Sequence, residues 1–446
     1  MVQMWKHRRK KALLSVPIVV TAVTVLLAAC SGGGDGRDPG GSLASGSTPP
    51  PATATAVATA SSKPTATPMS TLDPVAAAEA ALRKRVEAMP LESKIGQLVL
   101  VGLDGTAMDA HARELIQTYR VSGFILYKPN ITSGAQTQSL LNELKRTNAA
   151  VPGAVPLWLS VDQEGGRVDR LPEPFVRIPT AQEIGRRDRD SYSYQVGQAL
   201  AAQVSALGFN LNFAPVLDVN SNPNNPVIGN RSFGSMPDIV IEHGLQVMEG
   251  IRSKGVMPVV KHFPGHGDTS VDSHLDLPVV NKSLAQLQAL ELQPFQAAVG
   301  KKADAVMIAH LLLPKLDPDH SASLSPAVIG GLLRGDMHYD GIVITDDMTM
   351  GGITKHQDIG QAAVQSVLAG SDIVLVGHDF DMQVKVLDAL KQAVANGTIS
   401  VKRVEDSIVR TLRMKDQYKL KDAAVTGNEA IAEANRLAEA ALAEGK

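Results

Sequence analysis

The chain has 446 residues, of which 44% are hydrophobic and 20% are charged, so most of it can bury a core. Its formal net charge is −2, and no basic stripe lies outside the extreme N-terminus. The composition therefore predicts no nucleic-acid partner. The length fits either two or three average domains or one large α/β barrel.

The N-terminus has the pattern of an export signal. Residues 6–11 are basic, residues 12–29 are apolar, and Ala28 and Ala29 directly precede Cys30, the only cysteine. This order predicts a lipoprotein signal peptide over residues 1–29 and a lipid anchor on Cys30. The alternative is an uncleaved transmembrane helix. Under both interpretations the rest of the chain is extracytoplasmic and attached to a membrane.

The next segment is a tether followed by the globular part. Residues 30–72 are rich in Gly, Ser, Thr, Pro and Ala, a composition that predicts disorder. Asp73 and Pro74, followed by an alanine-rich run, predict the start of a helix and of a domain over residues 73–420. The Ala/Glu-rich residues 421–446 predict a C-terminal helical tail, either a formed helix or a frayed one.

Within residues 73–420, short apolar runs alternate with helical stretches. Apolar runs without strict alternation are typical of parallel strands that are buried on both faces. Eight such units in one domain predict an α/β fold with a single (β/α)8 barrel, with an open doubly wound sheet as the alternative. No GxGxxG follows the first run, which weakens the dinucleotide-binding variant of that alternative. The runs are residues 98–103, 123–127, 157–162, 209–219, 256–262, 305–312, 341–346 and 373–377.

Polar side chains follow several of these runs, at the end of the barrel where such enzymes place their chemistry. Each of them also has a structural interpretation. Asp347 can cap the following helix, and Asp162 can pair with Arg167 or Arg170. We expect His310 and His378 to be core histidines with satisfied hydrogen bonds. Asp346 is the better candidate for chemistry.

Four ordered motifs resemble one family. They are DQEGGRVDR at 162–170, NRSFG at 230–234, KHFPGHGDTSVDSHLDLP at 261–278 and ITDDMTM at 344–350. Together they are similar to family 3 glycoside hydrolases, in particular the bacterial β-N-acetylglucosaminidase branch. The resemblance extends over roughly residues 90–415.

The resemblance implies a role for each matching residue. Asp346 would be the nucleophile, and His274 paired with Asp272 would be the acid/base. The implied activity is that of a retaining β-N-acetylhexosaminidase on terminal N-acetylglucosamine of cell-wall-derived or chitin-type saccharides. No cofactor or metal is implied, and we expect a monomer. The implied contacts to the sugar are Asp162, Arg170, Arg231, Lys261 and His262.

Elementary chemistry is consistent with these roles. Retaining hydrolysis needs a carboxylate at the anomeric carbon and a second group that donates and then removes a proton. A histidine suits the second role because it titrates near working pH, and a neighbouring carboxylate can orient its ring. Asp272 and His274 share a side only if their segment is extended. The surrounding glycines predict a mobile loop that closes over the substrate.

Three alternatives remain open. A metal-dependent hydrolase could use a ligand set of histidines and one aspartate, although Pro264, Gly265 and Gly267 oppose the helix that such a spacing needs. A non-catalytic sugar-binding lipoprotein is the second alternative. The third is phosphorolysis, because a histidine does not repel an incoming phosphate as a carboxylate does. The ligand set of the metal alternative is His262, His266, Asp268, His274 and His310.

Overall fold

The computed structural model describes residues 74–445, which lie in one compact unit. The expected signal peptide, the lipid-anchor residue Cys30 and the tether lie outside the described residues. Within the described part of the chain, no helix combines the length and the apolar character needed to cross a bilayer.

Eight parallel strands form a barrel in which each strand pairs with its neighbours in chain order. The first and eighth strands pair through Val99 and Val374. A parallel bridge between Ile344 and Ile373 joins the seventh strand to the eighth and closes the ring. The strands are, in order, Val99–Val101, Gly123–Leu126, Trp158–Val161, Leu211–Asn212, Met257–Phe263, Ala305–Ile308, Ile342–Thr345 and Val374–Val376.

Helices surround the strands. The α-helices are α1 Pro74–Glu87, α2 Leu91–Gly96, α3 Ala110–Gln117, α4 Gly134–Ala149, α5 Ala181–Arg187, α6 Asp190–Leu207, α7 Pro237–Ser253, α8 Leu284–Ala289, α9 Leu292–Gly300, α10 Gly351–Thr354, α11 Ile359–Ala369, α12 Phe380–Ala395, α13 Val401–Gln417 and α14 Glu429–Glu444. Short 3-10 turns span Lys128–Asn130, Gly229–Arg231 and Ala322–Leu324, and a π-helical segment spans Ala327–Asp336. A two-stranded antiparallel hairpin, Leu312–Leu313 with Asp317–Ser321, lies outside the barrel.

The strands are buried on both faces, which explains why their sequences are apolar without alternation. One set of strand side chains fills the inside of the barrel, with Trp158 and Phe213 as its largest members. The other set packs outward against the helices. The predicted (β/α)8 barrel is therefore confirmed, and the open sheet is wrong because the eighth strand pairs with the first.

The C-terminal segment packs against the barrel rather than fraying. In α14 the buried residues Ile431, Ala434, Ala438 and Ala441 recur at spacings of three and four, which places them on one face. Near the end of that helix the Glu444 carbonyl accepts a hydrogen bond from the Arg189 guanidinium at 2.6 Å. A packed helix, Glu429–Glu444, thus occupies most of this segment.

Candidate active site

A cavity of about 450 Å³ opens where the barrel strands end. Polar side chains line it, and three of them, Tyr127, Asp162 and Asp346, directly follow the last residue of a strand. Apolar residues from inside the barrel form its floor, among them Ile125, Met307 and Leu375. Seven of the predicted site residues line this cavity: Asp162, Arg170, Arg231, Lys261, His262, His274 and Asp346.

A buried ion network forms one wall of the cavity. The Lys261 ammonium lies between the Asp162 carboxylate, at 2.5 Å, and the Glu164 carboxylate, at 2.7 Å. Arg231 donates two hydrogen bonds to Glu164, from Nε at 2.9 Å and from Nη2 at 2.8 Å. Two cations and two carboxylates thus hold one another in fixed positions and form a rigid wall.

Glu164 and Arg231 stay ionised within this wall. Burial raises the pKa of Glu164, but the nearby Arg231 and Lys261 outweigh burial and hold that pKa far below its ordinary value. Burial lowers the pKa of Arg231, and Glu164 more than compensates for it, so this pKa lies above its ordinary value. Removing either partner would leave a buried charge without compensation.

Arg170 also lines the cavity, but its Nε atom, unlike the charged groups of the wall, is unpaired within the described part of the chain. Its buried Nε atom has no hydrogen-bond partner within residues 74–445, so a donor is available to a bound molecule. The alternative pairings of Asp162 with Arg167 or Arg170 are wrong, because Asp162 pairs with Lys261. Arg167 instead donates to the backbone carbonyls of Val227 and Ile228.

A second carboxylate orients His262. Asp218 is fully buried, and its Oδ2 atom lies 2.7 Å from His262 Nδ1, while Oδ1 accepts the backbone N–H of His266 at 2.7 Å. Arg231 Nη2 lies 3.4 Å from His262 Nε2. Because a carboxylate can only accept, His262 Nδ1 donates its proton to Asp218.

Asp346 and Asp347 have different surroundings. Asp346 is partly exposed to the cavity, and its Oδ1 accepts the backbone N–H of Asp347 at 2.8 Å. Burial raises the pKa of Asp346, but His310, His262 and that N–H outweigh burial, so the pKa lies below its ordinary value. The Asp346 carboxylate is therefore ionised and open to an incoming molecule.

Asp347 is held by the protein itself. Its Oδ1 accepts hydrogen bonds from the backbone N–H groups of Thr349 and Gly377, both at 2.9 Å, and from the Thr349 hydroxyl at 2.8 Å. Its Oδ2 accepts the Tyr127 hydroxyl at 2.8 Å. These four bonds occupy both oxygens, so Asp347 is held by the protein, but the expectation that it caps the following helix is wrong, because Met350 is the N-cap residue of α10.

His274 lies on the loop after the fifth strand and is mostly exposed. Its Nδ1 atom is 2.7 Å from Asp272 Oδ1, which also accepts the backbone N–H of His274 at 2.9 Å. The expectation of an extended segment is wrong. The backbone N–H groups of Leu275 and Asp276 both bond the Asp272 carbonyl, so the segment is a turn, and the turn brings the two side chains together.

The other histidines divide into two groups. His310 is a buried, satisfied histidine, as expected, because its ring bonds the Ser323 hydroxyl at 2.7 Å and the Asp347 carbonyl at 3.0 Å. For His378 that expectation is wrong. His378 is exposed at the cavity mouth, with its ring tilted against Tyr127 at a centroid distance of 4.6 Å.

The ligand set of the metal-dependent alternative is not assembled. Both ring nitrogens of His266 bond hydroxyl groups, those of Thr269 and Ser273. Asp268 forms an ion pair with Lys282. His262 and His310 form the hydrogen bonds already described. The side chains of these four residues therefore bond other protein groups instead of converging on one ion.

Two site carboxylates were missed from the sequence. Glu164 lies inside the DQEGGRVDR motif, two residues after Asp162, and Asp218 is the penultimate residue of the run at 209–219. Both are charged residues within or near an apolar run, which is a usable signal. Their partners could not be inferred, because Arg231 and His262 are distant in the sequence.

Comparisons with known proteins identify the family of this chain. The family model of the glycosyl hydrolase family 3 N terminal domain matches residues 90–414. A beta-hexosaminidase of Idiomarina loihiensis is 36% identical over 295 residues, which cover 65% of this chain and 87% of that protein. A beta-hexosaminidase of Stenotrophomonas maltophilia is also 36% identical, over 63% of this chain and 83% of its own.

Solved structures give the same result. A family 3 beta-N-acetylglucosaminidase from Paenibacillus is 41% identical with a TM-score of 0.76, over 79% of this chain and 68% of that one. A beta-N-acetylhexosaminidase from Beutenbergia cavernae is 31% identical with a TM-score of 0.69, over 74% of this chain and 99% of its own.

This chain belongs to glycosyl hydrolase family 3. It is a glycoside hydrolase, and the resemblance found in its sequence motifs is confirmed.

Proposed function

We propose that this protein is a retaining β-N-acetylhexosaminidase that removes terminal β-linked N-acetylglucosamine from cell-wall-derived or chitin-type saccharides. One observation carries the proposal. An ionised, accessible carboxylate, Asp346, and a histidine ring, His274, line a single cavity of about 450 Å³. The names of the relatives suggest the N-acetyl sugar.

Asp346 is the nucleophile in this mechanism. Its carboxylate attacks the anomeric carbon and forms a glycosyl-Asp346 ester as the bond to the leaving oxygen breaks. A pKa below the ordinary value favours this role, because the attacking group must carry charge at neutral pH. The adjacent Asp347 supports the position of the segment.

His274 is the acid/base. With Nδ1 bonded to Asp272 at 2.7 Å, Nε2 is left to donate a proton to the departing oxygen. The same nitrogen then removes a proton from the water that cleaves the glycosyl ester. Asp272 holds the ring and stabilises its charged form, as a neighbouring carboxylate does for an imidazole.

The ionic wall binds the sugar. Lys261, Arg231 and Asp162 place donors and an acceptor along one side of the cavity, and the free Nε of Arg170 offers a further donor. Because the network is held before substrate arrives, it orients hydroxyl groups without a large ordering cost.

The decisive experiment compares aryl β-N-acetylglucosaminide with aryl β-glucoside, with and without phosphate. We expect the first substrate to be preferred and phosphate to have no effect on the rate, with N-acetylglucosamine as the product. A sugar 1-phosphate product would identify phosphorolysis instead. Lack of turnover on either glycoside, with a measurable affinity for saccharide, would favour a binding lipoprotein. Competition with disaccharides of wall and chitin type then ranks the natural substrates.

We also propose that the enzyme is an extracytoplasmic lipoprotein attached through Cys30. The basic, apolar and small-residue order that precedes Cys30 supports this location. Cys30→Ser is expected to block lipidation and cleavage, so that the precursor keeps its full mass in mass spectrometry. Membrane-associated protein with an unmodified Cys30 would contradict the proposal and favour an uncleaved helix.

A further inference from the structure

A second cluster of charged and imidazole groups lies on the outer helices, away from the cavity. Asp188 is the C-cap residue that directly follows α5, and Glu242 and His243 are consecutive residues of α7. One oxygen of each carboxylate and one nitrogen of His243 lie within 4.8 Å of one another. None of these residues lines the catalytic cavity.

The His243 ring has a buried nitrogen that lacks a hydrogen-bond partner among the described residues. The ring is fully buried, and its Nε2 atom has no hydrogen-bond partner within residues 74–445. Asp188 Oδ1 is 3.5 Å from Nε2, in a geometry that does not form a hydrogen bond. A buried, unpaired nitrogen is costly, so its presence beside two carboxylates calls for a partner.

The other ring nitrogen fixes the tautomer. His243 Nδ1 lies 2.9 Å from Ser193 Oγ, and the Ser193 hydroxyl donates its one proton to the Arg189 carbonyl at 3.3 Å. When the hydroxyl donates to this carbonyl, its oxygen accepts from Nδ1–H, and in the neutral ring the lone pair lies on Nε2. This is the arrangement of a metal-binding histidine, whose second nitrogen donates to a neighbouring acceptor.

The spacing fits an ion. Two ligands of a tetrahedral zinc ion, each about 2.1 Å from the metal, lie roughly 3.4 Å apart. The observed 3.5 Å between Asp188 Oδ1 and His243 Nε2 corresponds to this separation. Both carboxylates are exposed, so an ion can enter from solvent and keep a water as its fourth ligand. One imidazole with two carboxylates favours Zn²⁺ over Mg²⁺ or Ca²⁺, which prefer oxygen ligands.

We propose that Asp188, Glu242 and His243 form a binding site for a divalent transition metal of the zinc class. The ion would tie the end of α5 to α7. Helix α5 packs closely on the segment that follows Arg231, since a Cβ at Gly185 would lie 2.2 Å from the Phe233 carbonyl oxygen. The site thus braces outer helices near the saccharide-binding wall. Its expected effect is on stability, independent of the proposed glycosidase activity.

The test uses full-length protein, stripped with a chelator, and titration with Zn²⁺ alone. We expect one high-affinity zinc ion per chain and a rise in the unfolding temperature on its addition. The double variant Asp188→Asn with Glu242→Gln keeps both side-chain shapes at exposed positions, and should bind zinc more than about tenfold more weakly. Its unfolding temperature should no longer respond to zinc.

Two controls make the result specific. Glu439→Gln removes one exposed charge on α14 and should leave zinc affinity unchanged. His274→Ala removes an imidazole at the catalytic cavity and should also leave it unchanged. The proposal is overturned if wild-type protein binds no stoichiometric zinc, or if His274→Ala abolishes binding while the double variant retains it.

Discussion

Two adjacent aspartates at the end of the seventh strand differ in what their oxygens contact. Asp346 accepts one hydrogen bond, from the backbone N–H of Asp347, whereas Asp347 accepts four from Tyr127, Thr349 and Gly377. A carboxylate with free lone pairs can attack a substrate, and one with none holds the structure together. Sequence order places both at the same rim, and only the contacts separate their roles.

Replacing each aspartate tests this separation. Asp346→Ala is expected to reduce kcat by at least about 10³-fold while the unfolding midpoint stays near that of the wild type. Asp347→Ala should lower the free energy of unfolding by about 2 to 4 kcal/mol, because Tyr127 and two backbone N–H groups lose an acceptor. Urea denaturation and steady-state kinetics measure both effects. An inactive Asp347→Ala beside an active Asp346→Ala would reverse the assignment.

The role of His274 is tested through the leaving group. His274→Ala should reduce turnover of substrates with basic leaving groups by about 10²–10⁴-fold, and affect activated aryl glycosides much less. Asp272→Ala should show the same pattern more mildly, since it only orients the ring. A structural histidine would instead cause equal losses on both substrates together with lower stability.

A chemical rescue provides the control for His274. With an activated substrate, His274→Ala should accumulate the glycosyl-Asp346 ester, because water then lacks its base. Azide needs no base, so it should speed release and yield a β-configured glycosyl azide after two inversions. An α-configured product would remove His274 and Asp346 from the roles proposed here.

At the scale of elements, the loop that carries His274 is docked on the start of α10. The backbone N–H groups of Gly351 and Gly352 donate to the carbonyls of His274 and Ser273, at 3.2 Å and 3.0 Å. A Cβ at Gly351 would lie 2.7 Å from the Leu275 carbonyl oxygen and 2.8 Å from that of His274. Glycine is therefore required for this close approach, and α10 positions the loop that carries His274.

Gly351→Ala should displace the His274 loop without touching either catalytic group. We expect kcat/KM to fall by up to about 10²-fold on substrates with basic leaving groups, and less on activated ones. Gly300→Ala is the matched control, because a Cβ at Gly300 meets nothing within 4 Å. An unchanged leaving-group dependence in Gly351→Ala would show that α10 does not position His274.

At the scale of the whole molecule, the end of the barrel opposite the cavity is closed by α13. Lys415 enters the barrel there, with Nζ bonded to Gln97 Oε1 and the Ser122 carbonyl, both at 3.1 Å, and 5.5 Å from the Trp158 ring centroid. Burial lowers the pKa of Lys415 to about 7. The base of the barrel therefore holds a lysine whose charge is costly.

This lysine predicts a pH-dependent stability. An unfolded lysine titrates near about pH 10.4, so between about pH 7 and pH 10 the unfolded chain binds more protons than the folded chain. The free energy of unfolding should then rise with pH across this window, and no further change from Lys415 is expected below it.

Denaturation of the full chain at several pH values tests this slope. Lys415→Met should reduce the slope of the free energy of unfolding against pH, between about pH 7 and pH 10, by up to the contribution of one titrating proton. Lys84→Met, at an exposed position, should leave this slope unchanged. Parallel curves for wild type and Lys415→Met would contradict the shifted pKa.

Much of the fold could be predicted because the strands of a barrel are short, apolar and locally encoded. The eight observed strands coincide with the eight predicted runs, apart from boundaries. The fifth strand extends by one residue to Phe263, and the run at 305–312 ends in a separate hairpin that begins at Leu312. The other seven runs are longer than their strands, because apolar character continues past the last ladder hydrogen bond.

The barrel, the family and the residues available at its rim could be predicted from the amino-acid sequence, because strand-end positions and ordered motifs are local properties of the chain. Which of those residues pair became known only from the folded structure. In the folded chain Glu164 pairs with Arg231, and Asp218 pairs with His262. His378 is exposed, and the oxygens of Asp347 accept hydrogen bonds from the protein. Such pairings depend on barrel closure, which brings together side chains that are distant in the sequence, and no local pattern encodes those distances.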